Sequence, residues 1–156
     1  MFWIGLLAHE GAHYGLLSIL SRAGTFSQAL AYLPAAAGPL TTLTIVVVTT
    51  MLSVRARNET AQRTMFVTAL TAASRLVLTA VPTMLGRVND EQTVGVLTRV
   101  PPGMIWSAEA LLTGALIVWM IRRLPQHRCL IGPAAFASLA GWVSAFTFGR
   151  AVGLPI

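Results

Sequence analysis

Five apolar runs separated by polar connections account for most of this chain. They extend from Phe2 to Leu20, Leu33 to Ser53, Thr64 to Gly86, Met104 to Ile121 and Cys129 to Phe148. A helix that crosses the hydrocarbon core of a bilayer needs roughly 20 mainly apolar residues, so the pattern predicts an all-α polytopic membrane protein with about five transmembrane helices. It forms a single transmembrane domain over residues 1–156, with helices about 2–20, 33–53, 64–91, 104–121 and 129–148. Ser21 to Tyr32 is a mildly polar connection, punctuated by Gly24 and followed by Pro34. Arg55 to Arg63 (RARNETAQR) is the most hydrophilic stretch. Arg87 to Gly103 reads as a longer connection holding two of the acids, and Arg122 to Arg128 (RRLPQHR) as a tight basic turn.

Composition supports the bilayer as solvent. Of 156 residues, 55% are hydrophobic and 10% charged, with a mean hydropathy of +0.71, whereas soluble domains carry about a quarter charged residues. The net charge of +6 comes from arginine alone. Most arginines stand at the ends of apolar runs, where headgroup contact and the positive-inside bias put them. No basic stripe with interleaved aromatics is present, so nucleic acid is not expected as a partner. If all five runs span, the second and fourth connections share one face and carry six arginines against four on the other, which puts Met1 in the cytoplasm. The expected location is a bacterial-type inner (cytoplasmic) membrane. Cys129 is the single cysteine and reads as a small buried thiol at the start of an apolar run; no disulfide within the chain is possible. The first run does not look like a cleaved signal peptide, since it lacks a basic n-region and an acid interrupts it.

That acid is Glu10, in the sequence His9-Glu10-Gly11-Ala12-His13. In an HExxH pattern on a helix, His9 and His13 lie one above the other and can both present an imidazole to one zinc ion. Glu10 can then reach a water in the open coordination position and act as general base. Ionisable groups within a spanning segment cost roughly 2.5–3.5 kcal/mol each on insertion scales, which marks them as functional-site candidates. Two of three histidines and one of four glutamates fall in these five residues. The competing reading is a helix whose His and Glu hydrogen-bond to neighbouring helices.

Catalytic zinc usually takes three protein ligands and a water. His127 in the basic turn and Glu59 in the hydrophilic loop read as solvated, and Glu109 as an interfacial side chain or an arginine's partner. Asn89-Asp90-Glu91 follows Pro82 and Gly86, where the chain can leave helix and turn inward. Asp90 is the expected third ligand, with Glu91 next.

The HExxH run, the later aspartate and Ala37-Gly38-Pro39-Leu40-Thr41-Thr42 between them resemble the site-2-protease family of intramembrane zinc metalloproteases. In that family the HExxH helix is followed by a helix with an AGPxxN-like element and by a third helix with an NxxPxxxxDG-like motif that supplies an aspartate. Thr42 stands where the family often has Asn. Pro82 precedes Asp90 by eight residues rather than five, and Glu91 replaces the glycine. The resemblance covers roughly Leu7 to Glu91 and implies core helices over about 2–20, 33–53 and 64–91. It also implies Gly38 and Pro39 as supporting residues, Zn2+ as cofactor, and a membrane-protein or peptide substrate.

Three further features complete the reading. Small-residue pairs at Ala8/Ala12 and Gly11/Gly15, and the run Ala35-Ala36-Ala37-Gly38, permit close helix approach. Arg75, near the middle of the third run, needs a buried partner, with Glu109 and Glu91 the expected ones; a structural salt bridge is weighed against a vestibule role. Thr41, Thr42, Thr44, Thr68 and Thr71 either line a wet path or hydrogen-bond between helices, and Trp3, Trp106, Trp119 and Trp142 fit interfacial anchoring. The expected function is a zinc intramembrane endopeptidase. The alternative is a non-proteolytic subunit or assembly factor of a larger membrane-protein complex.

Overall fold

The computed structural model describes residues 32–85 and 90–151, and among these the only regular elements are helices. They are α1 (Tyr32–Arg55), α2 (Glu59–Met84), α3 (Asp90–Thr98), α4 (Pro102–Arg123), a 3-10 turn (Pro125–Leu130) and α5 (Ile131–Ala151). The first run and its HExxH pattern lie outside the described residues.

α1 and α2 form a helical hairpin. Only residues 56–58 separate them, because Asn58 caps α2: its Oδ1 accepts from the backbone N–H of Thr60 (2.8 Å) and Ala61 (3.4 Å). The third helix therefore starts at Glu59 rather than near Thr64, with Glu59 in its first turn and paired to Arg63. It continues past Pro82 to Met84. The stretch 64–91 is consequently not one helix, since a separate one begins at Asp90.

Burial on α1 is inverted relative to a water-soluble helix. Leu40, Thr44, Val48 and Leu52 recur every four residues on the exposed side. Thr42, Val46, Thr49, Thr50 and Ser53 occupy the buried side. Of these hydroxyls, the buried Thr50 Oγ1 has no partner among the described residues, and Ser53 donates across to Gln62 O of α2 (3.3 Å). Two bond within the helix, Thr42 to Gly38 O (3.2 Å) and Thr49 to Ile45 O (2.6 Å). Thr44, Thr68 and Thr71 likewise donate to carbonyls four residues back. The same inversion marks α5, where Ala134 and Ser138 are buried and Phe136, Leu139 and Val143 are exposed. α1 (from Ala36) and α4 are long and apolar enough to cross a membrane.

A core of Phe66, Ala69, Met120 and Leu124 closes the end of the bundle that holds the α1–α2 connection. His127 belongs to this core. It is 2% exposed, its ring meets Phe66 edge-on at 5.8 Å, and its Nε2 lies 3.4 Å from Gln62 Oε1. The expectation of a solvated His127 is thus corrected, because the 3-10 turn after Leu124 folds the imidazole back onto α2. Cys129, expected to be buried, is exposed on the same turn. The six arginines of the two connections at this end (55, 57, 63, 122, 123 and 128) are all exposed.

α3 replaces what reads as a loop. It ends in a Schellman arrangement: Arg99 takes the left-handed conformation (φ 61) and Val100 N–H donates to Gly95 O at 3.1 Å. Pro102 then opens α4. Gly95 is required at this crossing. A β-carbon there would stand 2.7 Å from Val100 O and 2.8 Å from Pro102 Cγ. Gly95→Ala is expected to destabilise the protein by roughly 1–3 kcal/mol, as overpacking does. Thermal unfolding in detergent checks this; an unchanged midpoint would show that the turn relaxes freely.

Candidate functional site

At the opposite end of the bundle, α2 and α4 run antiparallel and meet through four residues. Trp106 and Glu109, three apart on one face of α4, engage the consecutive residues Leu76 and Arg75 of α2. Trp106 Nε1 donates to Leu76 O at 3.1 Å, and Arg75 Nη1 donates to Glu109 Oε1 at 3.2 Å. Trp106 thus ties two helices together, where interfacial anchoring was expected.

Asp90, the first residue of α3, approaches the same guanidinium, with Oδ2 3.8 Å from Arg75 Nη2. The three side chains are 8% (Arg75), 17% (Asp90) and 9% (Glu109) exposed. One delocalised cation thus faces two carboxylates in a largely water-excluded place, the setting in which arginine's fork is most effective. Glu109 was an expected partner of Arg75. Asp90, expected as a metal ligand, was not. The signal that could have linked them is their scarcity: Arg75 is a lone cation deep in a run, and Asp90 is the single aspartate.

The Ala-Gly-Pro element lies level with this cluster. Gly38 is buried within α1, which passes through Pro39. A groove of about 320 Å³ opens between α1, α3 and α4, walled by Ala36, Pro39, Leu43, Val94 and Ile105, with Glu109 at its edge. Apart from that carboxylate the lining is apolar.

Of the residues expected at a metal centre, His9, Glu10, His13 and Asn89 lie outside the described residues, as does the Glu91 side chain. Among the described residues no group of three His, Cys, Asp or Glu could hold a metal ion. A centre built on Asp90 would draw its other ligands from residues outside those described, as the HExxH expectation requires. Two imidazoles four residues apart and one carboxylate are a donor set that fits tetrahedral zinc with a position open for water. Comparison with protein-family models, curated proteins and solved structures gives no match, so the resemblance to the site-2-protease family rests on the residues quoted for it.

Proposed function

We propose that this chain is a zinc-dependent intramembrane endopeptidase, hydrolysing peptide bonds within or beside the bilayer. The observation that carries the reading is HExxH inside a run otherwise free of charge. Support for a membrane setting comes from the inverted burial. α4 has a mean hydropathy of 1.7 over its apolar window, yet only 11% of that window is buried, the reverse of a soluble protein's core helix. We take all five runs to span a bacterial-type inner membrane. The end bearing the six exposed arginines faces the cytoplasm.

His9, His13 and Asp90 would hold the zinc, which when bound polarises the scissile carbonyl and acidifies a water. Glu10 would act as general base toward the attacking water and then as proton donor to the leaving amine. Pro39 and its neighbours line the apolar groove between α1, α3 and α4.

A second reading, a non-proteolytic subunit or assembly factor, is favoured by one observation: Asp90 already has a cationic partner in Arg75. A competitive chelator titration tests the ligand assignment. Asp90→Ala is expected to weaken zinc binding as severely as loss of either histidine, with Glu91→Ala clearly milder. Near-native affinity in Asp90→Ala would remove Asp90 from the centre.

A further inference from the structure

Resting on the membrane setting proposed above and not on the metal centre, we infer that the arginine-bearing end of the bundle binds anionic phospholipid, through headgroup and acyl chain together. Exposed apolar stripes on two helices each run out into an exposed arginine. On α4, Leu111, Ala115, Val118 and Arg122 follow one another at steps of three and four residues, and all four are exposed. From Leu111 to Arg122 the helix rises about 16 Å, close to the ~15 Å half of a bilayer's hydrocarbon core. On α1, exposed Val48 and Leu52 lead in the same way to exposed Arg55 in the last turn.

The charge at this end is left for a partner outside the chain. Glu59 is the acid found there among the described residues, and it engages Arg63. No described carboxylate pairs with Arg55, Arg57, Arg122, Arg123 or Arg128. Arg123 Cζ stands 6.0 Å from the centroid of the Trp119 ring, which sets an indole, a group enriched at headgroup depth, beside the guanidinium groups. Guanidinium takes phosphate oxygens in bidentate pairs. An acidic soluble protein would neutralise the arginines and leave the stripes bare. A zwitterionic lipid would cover the stripes but bring a cation of its own to the arginines. Only a lipid with a net negative head meets both.

The experiment titrates phosphatidylglycerol, phosphatidylcholine or glycerol phosphate into the full chain in uncharged detergent. It reads the thermal unfolding midpoint against concentration. Phosphatidylglycerol is expected to raise the midpoint saturably, while the other two leave it near its starting value. Arg122→Gln should weaken the apparent affinity about 5-fold, the equivalent of about 1 kcal/mol per basic residue at an anionic surface. Adding Arg55→Gln should bring the loss to about 30-fold. Arg99→Gln, at an exposed position on the opposite end, should leave the affinity unchanged. Should the double variant fail to fold, Arg122→Gln alone carries the test.

An equal shift with phosphatidylcholine would overturn the inference, because an arginine that only sets orientation has no preference among headgroups. An equal shift with glycerol phosphate would overturn it too, since the stripes would then contribute nothing. So would undiminished phosphatidylglycerol affinity in the double variant. A chain that stays monodisperse without detergent would instead remove the membrane setting, and this inference with it.

Discussion

His9→Ala and His13→Ala are each expected to strip the protein of zinc, from about one ion per chain to a trace. In the proposed centre the two imidazoles would supply two of three protein ligands, and the sequence offers no cysteine cluster to replace either. His127 is no substitute beside Asp90: it is buried against Phe66, at the opposite end of the bundle from Asp90. Metal analysis of detergent-purified protein reads the result directly. Stoichiometric zinc retained after both changes together would sink the site. Glu10→Gln separates the enzyme from the subunit. It preserves shape while removing the base, so insertion, folding and zinc content should persist while cleavage of a membrane substrate disappears. Undiminished cleavage in Glu10→Gln would refute the mechanism.

The second large effect concerns Arg75. Arg75→Leu is expected to lower stability by roughly 3–5 kcal/mol, the usual result of removing one partner from a buried ion pair. The loss comes less from missing attraction than from what is left behind. Two mostly buried carboxylates, on α3 and α4, would face each other without the cation between them. Denaturant unfolding in detergent measures the change. Arg75→Leu combined with Glu109→Leu should recover much of it, since a buried pair replaced by apolar side chains is often neutral or stabilising. An unchanged unfolding midpoint in Arg75→Leu alone would show that the cluster contributes nothing to holding α2, α3 and α4 together.

The apolar runs by themselves determined that the chain is helical, and located α1, α4 and α5 to within a few residues. That signal is local, because a helix satisfies its own backbone and a long apolar stretch needs no distant partner to declare itself. The HExxH spacing is equally local. The Asn58 cap is local too, but the hydrophilic stretch around it reads as a loop, which places the start of α2 near Thr64 instead of Glu59.

Three features depended on tertiary structure. α3 is nine residues long and polar at its start, too short to be stable alone. It forms because α1 and α4 pack against it and Gly95 lets Pro102 approach. His127 sits among arginines and prolines that advertise a solvated turn. Its burial follows from a fold-back onto Gln62, 65 residues earlier in the chain. Arg75 announced that it needed a counter-charge, and of the two residues the sequence favoured, Glu109 is one. That Asp90 shares the same guanidinium was decided only when α2 and α4 crossed at Arg75 and Glu109, 34 residues apart, and α3 closed over the junction. Charge pairing acts across space between whichever groups the helix crossings bring together, and a residue pattern with a period of a few positions carries no record of those crossings.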